Sequence, residues 1–226
     1  MAKLFLLRHI KSQWNEENRF TGWMDVPLDE NEIYEAKVLA DKIFKRHKID
    51  KIYCSTLFRN MDTIARMFEF GNEKYPVFMH IDKGRMKKWG HFIDISQQDV
   101  PVYVTEKLNE RYYGKLQGAN KDWAVRKYGK DKVKLWRRSF DIPPPKGESL
   151  KDVLKRVSPF FKSYVQDDLR AGKNVLVVAS HNALRAIAKQ IEGISDKKII
   201  NFEIAYGGVL EYDIDKSLKV KSKDIY

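Results

Sequence analysis

Two histidines and two arginines follow short apolar runs in this 226-residue sequence. Arg8 and His9 come directly after the first run, Arg59 lies one helical turn beyond the second, and His181 follows the third. In an open α/β sheet, ligands bind beyond the carboxyl ends of the strands, so we expect these side chains to lie close together. Guanidinium groups bind phosphate through paired, charge-assisted hydrogen bonds. The spacing therefore predicts a phosphate-binding pocket at one edge of a sheet.

The residue types also indicate how a phosphoryl group would be transferred. An imidazole close to arginines stays neutral because nearby positive charge disfavours its protonated form, and a neutral imidazole can attack phosphorus. Either His9 or His181 meets this requirement. The sequence contains neither a P-loop nor a kinase glycine-rich loop, and the strand ends lack the clustered carboxylates that hold magnesium. The sequence therefore predicts transfer through a phosphohistidine, without a metal.

Three apolar runs rich in β-formers are predicted to be the strands that position these side chains, at Lys3–Leu7, Lys51–Cys54 and Asn174–Ala179. Their apolar character is continuous rather than alternating, which is typical of parallel strands covered on both faces. Apolar residues at helical spacing lie between and after these runs. This order predicts an α/β fold, a three-layer, doubly wound, mostly parallel sheet with helices on both faces. We expect Val209–Ile214 to form a late edge strand.

The chain shows no internal repeat or glycine- and serine-rich linker, so we expect a single domain over residues 1–226. Two irregular segments interrupt the pattern, an insertion around residues 72–102 and the proline-rich stretch 142–147. Both are predicted to be surface insertions or lids. In the helix predicted after Ser149, which is a candidate cap, Pro159 is expected to cause a kink or an interruption.

Charge and composition narrow the possible partners. Forty-three lysines and arginines against 31 acidic residues give a net charge of +12, which favours an anionic partner. No apolar run approaches the roughly 20 residues needed to cross a bilayer, and a single cysteine, Cys54, excludes an internal disulfide and favours the cytoplasm. The basic residues are scattered, without an RRM, KH or zinc pattern. We therefore expect small phosphorylated metabolites, no nucleic acid and no membrane. A basic nucleic-acid-binding domain stays a distant alternative.

Several motifs occur together in one order along most of the chain. They lie at residues 7–15, 17–23, 55–59, 108–114, 116–118, 136–138 and 180–186. With these motifs the chain resembles the 2,3-bisphosphoglycerate-dependent phosphoglycerate mutases of the histidine phosphatase superfamily. Arg-His alone is common throughout that superfamily. The pair formed by Asn-Glu-Arg-Tyr-Tyr-Gly at 109–114 and Trp-Arg-Arg at 136–138 is much more particular to the mutases.

The resemblance implies a phosphoglycerate mutase-like fold and an isomerase of glycolysis and gluconeogenesis. Such an enzyme interconverts 3-phosphoglycerate and 2-phosphoglycerate through a phosphohistidine, with 2,3-bisphosphoglycerate as the phosphoryl primer. It also implies that His9 accepts the phosphoryl group, that Arg8, Arg59 and His181 hold it, and that Glu110 gives and takes a proton. The substrate contacts it implies are Asn15, Thr21, Gly22, Tyr113, Lys121, Arg137, Arg138 and Asn182. We also expect a homo-oligomer, either a dimer or a tetramer.

Two positions depart from the family pattern. Ile10 stands where the family has glycine, and a β-branched residue there excludes positive φ. The family's His-Gly-Asn is shortened to His181-Asn182. The main alternative is a phosphomonoesterase on the same scaffold, in which water instead of a substrate hydroxyl takes the phosphoryl group from His9.

Overall fold

The computed structural model describes residues 1–71, 74–90 and 96–226. Within these ranges the strands form one seven-stranded sheet of order β3-β4-β2-β5-β1-β6-β7. The strands are β1 (Ala2–Arg8), β2 (Lys51–Ser55), β3 (Tyr75–His80), β4 (Asp99–Thr105), β5 (Val175–Ala179), β6 (Val209–Ile214) and β7 (Val220–Ile225). The first five in spatial order run parallel, whereas β6 is antiparallel to β1 and β7 is antiparallel to β6.

The helices connect these strands and extend beyond the sheet edge. They are α1 (Gln13–Glu16), α2 (Glu35–Ile43), α3 (Phe58–Gly71), α4 (Arg85–Trp89), α5 (Lys121–Tyr128), α6 (Lys130–Arg138), α7 (Leu150–Phe160), α8 (Gln166–Arg170), α9 (His181–Glu192) and α10 (Asp196–Ile199). Short 3-10 turns occupy Glu30–Glu32, Glu106–Leu108 and Gly114–Leu116, and a π-helical segment occupies Phe161–Val165.

The side chains of β1 alternate between two apolar cores. Leu4 and Leu6 pack into a core formed with α7, α8 and α9, whereas Phe5 and Leu7 pack into a second core formed with α2 and α3. This alternation follows from the two-residue period of a strand. Helices therefore cover both faces of the central strands, which confirms the predicted three-layer, mostly parallel α/β fold.

The predicted start and interruption of one helix are both confirmed. Ser149 caps α7, because its Oγ accepts the main-chain N–H of Asp152 at 3.2 Å while the Asp152 carboxylate accepts the N–H of Ser149 at 2.9 Å. Pro159 lies in the last turn of α7, which ends at Phe160, and the π-helical segment begins at Phe161. Proline has no N–H to donate within a helix, which accounts for the change of hydrogen-bond pattern.

The prediction that residues 72–102 form an irregular insertion is wrong for much of that segment. It contains β3 and the beginning of β4, which pair in parallel with each other, and β4 also pairs with β2. These strands were not predicted because they contain Pro76 and Pro101, and proline is uncommon inside a sheet. Pro76 is tolerated because β3 is an edge strand, and Pro101 precedes the first residue of β4 that pairs with β2. Residues 72–73 and 91–95 of this prediction lie outside the described residues.

The prediction that Val209–Ile214 forms an edge strand is also wrong. β6 lies between β1 and β7, so it is paired on both sides. The edge strand on this side of the sheet is β7, which has the sequence Val-Lys-Ser-Lys-Asp-Ile and is largely exposed. Its polar residues gave it no apolar pattern to recognise, which is typical of edge strands that face water.

A third, smaller core supports the residues above the carboxyl edge of the sheet. It joins α5 and α6 to the loop after α1 and contains Phe20, Leu116, Ala124, Val133 and Trp136. In the described ranges, every helix is too short or too polar to span a bilayer. The structure contains one chain, so the predicted homo-oligomer stays a prediction.

Candidate active site

A cavity of about 270 Å³ opens at the carboxyl edge of the sheet, where the sequence predicts a phosphate pocket. All thirteen residues predicted for the site line it. These are Arg8, His9, Asn15, Thr21, Gly22, Arg59, Glu110, Tyr113, Lys121, Arg137, Arg138, His181 and Asn182. We call Arg8, His9, Arg59 and Glu110 the cavity floor, and Lys121, Arg137, Arg138 and Glu203 the cavity rim. The roles that the resemblance implies for these residues stay predictions.

His9 follows the last residue of β1 and is buried. Its Nδ1 lies 2.6 Å from the main-chain oxygen of Ile10, which can only accept, so the ring proton belongs on Nδ1 and the lone pair on Nε2. Arg59 Nε donates to that Nε2 at 3.2 Å. Burial, together with the charges of Arg59 and Arg8, holds the pKa of His9 well below its usual value. The imidazole is therefore neutral, with Nε2 available as a nucleophile.

Ile10 fits its position without the conformation that glycine would allow. It is not among the described non-glycine residues with positive φ. Its side chain is fully buried in the core formed with α2 and α3, and its N–H donates to Thr63 Oγ1 at 3.2 Å. The backbone of Ile10 thus fixes the tautomer of His9 while its side chain anchors the turn.

Arg59 lies in the first turn of α3 and is 1% exposed. Its guanidinium donates to the main-chain oxygens of Gly22 at 2.8 Å and Met24 at 3.0 Å, and to Ser180 Oγ at 3.3 Å. Burial lowers its pKa to about 10, so it stays protonated near neutral pH. These contacts hold the charge of Arg59 against His9 and join the ends of β1 and β5.

Gly22 is required by both its conformation and its surroundings. Its φ is +55°, and a Cβ at this position would lie 2.3 Å from Gln117 Oε1. That same oxygen accepts the N–H of Trp23 at 2.7 Å. The turn that presents the Gly22 oxygen to Arg59 would therefore be strained with any other residue, and Gln117 would have to move.

Two residues of the loop before β6 hold the Arg8 side chain in place. Its Nη1 donates to the main-chain oxygen of Ile204 at 2.6 Å, and its Cζ lies 3.6 Å from the centre of the Tyr206 ring. Its Nε is buried and makes no hydrogen bond to any described residue. A buried donor without a partner costs free energy.

Glu110 follows β4 and the 3-10 turn after it. Its Oε1 accepts the N–H of Arg111 at 2.6 Å and Nδ2 of Asn182 at 2.5 Å, and its Oε2 accepts the N–H of Asn182 at 3.3 Å. Asn182 is the second residue of α9, so the carboxylate lies at a helix N-terminus. Three donors and the helix dipole stabilise the negative charge of Glu110 and fix its orientation.

His181 is the first residue of α9 and has different partners from His9. Its Nε2 lies 3.3 Å from the donating N–H of Ile204 and 3.2 Å from Oε2 of Glu203. The first contact needs a lone pair on Nε2 and the second needs a proton, so the ring makes one at a time. Burial and the nearby Arg8 and Arg185 hold the pKa of His181 well below its usual value, which favours the neutral ring.

At the start of α9, Ser180 is the residue that hydrogen-bonds Arg59. Ser180 Oγ accepts hydrogen bonds from Arg59 at 3.3 Å and from Asn60 Nδ2 at 3.1 Å, and Asn60 also donates to Ser55 Oγ at 2.7 Å. Both histidines line the same cavity, but Nε2 of His181 contacts Glu203 and Ile204 in the loop before β6. The structure therefore gives His9 a direct guanidinium partner and His181 a partner from the rim.

The rim consists of less buried side chains on α5, α6 and the loop before β6. Arg137 and Arg138 end α6, and Lys121 begins α5. Burial, Arg137 and Arg8 lower the pKa of Lys121 to about 8. Glu203 accepts a hydrogen bond from Arg138 Nη1. The rim therefore brings positive charge that is separate from the floor and can bind a second anionic group.

Five lining residues were not predicted. They are Arg19, Phe20, Arg185, Glu203 and Tyr206. Arg185 could have been found, because it lies one helical turn after Asn182 on α9 and donates to the oxygen of that side chain at 3.0 Å. Glu203 and Tyr206 precede β6, and their place depends on the pairing of β6 with β1, which has no local pattern.

The cavity is strongly cationic. Seven of its lining residues are arginine or lysine and two are glutamate. Arg185 Nε, like Arg8 Nε, is buried without a hydrogen-bond partner among the described residues. The same residues include no group of three or more His, Cys, Asp or Glu side chains suited to a metal ion. The arrangement suits a small ligand that has more than one anionic group.

Comparison with known proteins gives consistent relatives. The profile of the histidine phosphatase superfamily (branch 1) matches residues 4–86 and 93–222. The 2,3-bisphosphoglycerate-dependent phosphoglycerate mutase of Methanococcus vannielii is 43% identical over 221 residues, covering 97% of this chain and 94% of that protein. The protein of the same name from Protochlamydia amoebophila is 39% identical over 226 residues, covering 99% and 100%.

Solved structures show the same fold at lower identity. A mycobacterial glucosyl-3-phosphoglycerate phosphatase, solved with VO3, superposes with a TM-score of 0.76 at 20% identity and covers 100% of this chain and 98% of that one. The α-ribazole phosphatase of Shigella flexneri gives a TM-score of 0.73 at 19% identity, covering 97% and 93%. At these identities the likeness concerns the fold, and it agrees with the sheet and helix layers described above.

Proposed function

The chain belongs to the histidine phosphatase superfamily, and from this premise we propose that it is a phosphoglycerate mutase. It interconverts 3-phosphoglycerate and 2-phosphoglycerate through a phosphorylated His9. The relatives that are 43% and 39% identical over nearly the whole chain have the name of this isomerase. The observation that carries the proposal is the neutral Nε2 of His9 in a cavity with two separate sets of cations.

The two sets of cations match the two ends of a phosphoglycerate. Arg8 and Arg59 lie beside His9 and neutralise the phosphoryl group while it moves, which is the main requirement of phosphoryl transfer. Lys121, Arg137 and Arg138 lie on the rim, where they bind the carboxylate or the second phosphate. A phosphatase for a simple monoester needs only the first set. The rim therefore favours a substrate that has a second anionic group.

Phosphoryl transfer from His9 follows from the tautomer. A hydroxyl oxygen of the bound phosphoglycerate attacks phosphorus, the bond between phosphorus and Nε2 breaks, and its electron pair returns to Nε2. The hydroxyl proton passes to the Glu110 carboxylate, which is held ready by Arg111 and Asn182. In the reverse transfer, Nε2 attacks phosphorus at the neighbouring position of the bisphosphorylated intermediate and the P–O bond breaks. Glu110 returns its proton to the leaving oxygen, which restores the phosphohistidine. The hydrogen bond from Nδ1–H of His9 to the main-chain oxygen of Ile10 keeps Nε2 as the reactive nitrogen in both directions.

The same residues suit 2,3-bisphosphoglycerate as primer. The excess of seven cations over two carboxylates fits a ligand with more anionic groups than the substrate has. When bound, this compound supplies the phosphoryl group that first loads His9. The floor would hold the phosphate to be transferred, and Lys121, Arg137 and Arg138 would hold the remaining groups.

One assay separates the mutase from a phosphomonoesterase. The purified chain is incubated with 3-phosphoglycerate, with and without catalytic 2,3-bisphosphoglycerate, and both 2-phosphoglycerate and free phosphate are measured. We expect isomer formation that depends on the primer, with little free phosphate and no loss after treatment with EDTA. Free phosphate as the main product would instead identify a phosphatase, in which water attacks the phosphorylated His9.

A further inference from the structure

Glu203 is a carboxylate placed among the cations of the rim. Its Oε1 accepts a hydrogen bond from Arg138 Nη1, and its Oε2 lies 3.2 Å from Nε2 of His181. Its side chain is 50% exposed. The next residue, Ile204, is buried and tied to the floor, because its main-chain oxygen accepts from Arg8 at 2.6 Å. The backbone at Glu203 is thus anchored, while its side chain lies over the cavity.

The other carboxylate of the cavity is held very differently. Glu110 is 7% exposed and accepts three hydrogen bonds, two of them from main-chain N–H groups. Glu203, in contrast, forms an ion pair with one exposed side chain, Arg138, and otherwise lies beside the neutral ring of His181; both residues line the cavity. An ion pair between exposed groups such as Glu203 and Arg138 is weak, because water solvates both partners when they separate. Glu203 can therefore leave Arg138 at small cost, whereas Glu110 cannot leave its partners so easily.

We propose that Glu203 is an internal counter-ion that competes with the substrate's second anionic group for Arg138. It determines specificity, and this role rests on the function proposed above. A phosphate or carboxylate that binds Arg138 bidentately displaces the Glu203 side chain toward solvent, since a planar guanidinium favours paired contacts. Inorganic phosphate bound on the floor beside Arg8 and Arg59 makes no contact with Arg138, so Glu203 stays in place and its negative charge opposes binding. The residue thus weakens binding of every anion and weakens it most for small, single anions.

Direct binding measurements test this role without requiring turnover. Isothermal calorimetry gives the dissociation constants of inorganic phosphate and of 3-phosphoglycerate for the wild type and for Glu203→Gln. Removing one charge next to the ligand is expected to tighten inorganic phosphate binding about tenfold and to tighten 3-phosphoglycerate binding less. The preference of the protein for 3-phosphoglycerate over inorganic phosphate is therefore expected to narrow. In the mutase assay, KM is expected to fall more than kcat changes.

Glu106→Gln is a matched control. Glu106 is also 50% exposed and paired with one basic side chain, Lys107 at 2.7 Å, but it does not line the cavity. The Glu106→Gln variant removes the same charge from the chain and is expected to keep both dissociation constants within twofold of the wild-type values. Glu203→Asp keeps the charge and is expected to bind phosphate as weakly as the wild type.

Unchanged or weaker phosphate binding by Glu203→Gln, with a melting temperature like that of the wild type, would overturn the proposal. Equal tightening by Glu106→Gln would overturn it too, because the effect would then come from net charge alone. Failure of the proposed mutase reaction would show itself separately, as absence of isomer in the wild-type assay, while the phosphate-binding comparison would still test Glu203.

Discussion

The floor and the rim of the cavity are built in different ways. His9, Arg59 and Glu110 are all less than 10% exposed, and each is fixed by hydrogen bonds to main-chain groups or to one another. Arg138 and Glu203, in contrast, have side chains that are 43% and 50% exposed. The floor lies near the carboxyl ends of strands in the main cores, whereas the rim lies on α5 and α6, over the small third core, and on the loop before β6.

This contrast separates two requirements of phosphoryl transfer. The reacting nitrogen and its charge partners must keep one geometry, and buried, hydrogen-bonded side chains provide it. Groups that recognise a substrate before and after its phosphoryl group has moved must tolerate more than one position. Arginines and a lysine that are less buried than the floor and lie on short helices have that freedom. We therefore expect changes in the floor to affect turnover and changes in the rim to affect binding.

The largest effect is expected for His9→Asn. Without Nε2 there is no nucleophile, so kcat falls by at least about 10³-fold and acid-labile phosphate on the protein disappears. Binding of 3-phosphoglycerate, measured by calorimetry, is expected to stay within about tenfold, since the rim is untouched. Turnover or labelling that persists in this variant would show that another residue is the nucleophile and would break the contrast between floor and rim.

The converse experiment removes the rim cations. The double variant Arg137→Ala and Arg138→Ala is expected to raise KM for 3-phosphoglycerate about 10- to 100-fold, because each lost charge-assisted contact weakens anion binding. The yield of phosphorylated His9 at saturating primer is expected to stay close to that of the wild type.

A control with the same change of charge is Lys130→Ala with Lys134→Ala. Both lysines are exposed on α6 and neither lines the cavity. This pair is expected to change KM less than threefold. An equal rise of KM in both double variants would assign the effect to the charge of the helix instead of to contact with substrate.

A smaller effect is expected from pH. The pKa of Lys121 is lowered to about 8, so its ammonium is present below pH 8 and is lost as the pH rises through that value. KM for 3-phosphoglycerate is therefore expected to rise several-fold between pH 7 and pH 9. His9 does not contribute to this change, because its lowered pKa keeps it neutral throughout the range.

Lys121→Arg tests that assignment. A guanidinium stays charged across the whole range, so KM in this variant is expected to be nearly flat between pH 7 and pH 9. If KM of Lys121→Arg rises as steeply as that of the wild type, the pH dependence belongs to the substrate or to another group.

The sequence predicts the floor better than the rim for a physical reason. His9 and Arg59 follow strands whose buried faces leave continuous apolar runs, and the place of such strands can be inferred from the chain itself. Glu110 follows β4, a strand that was not predicted because it contains Pro101. The place of Glu110 in the site was therefore predicted from the resemblance alone. Glu203 lies near His9 because β6 pairs with β1, and long-range pairing of this kind leaves no local pattern in a sequence.

The smallest effect is expected for Ile10→Val, which separates the two roles of Ile10. Its carbonyl orients His9, and its side chain fills the core formed with α2 and α3. Removing one buried methylene is expected to lower the free energy of unfolding by about 1 kcal/mol in urea titrations and to leave kcat within twofold. Ile43→Val, a change of equal size in the same core that does not line the cavity, is the control. If kcat falls much further in Ile10→Val than in Ile43→Val, the side chain also positions the His9 ring, and the rigidity of the floor depends on its packing as well as on its hydrogen bonds.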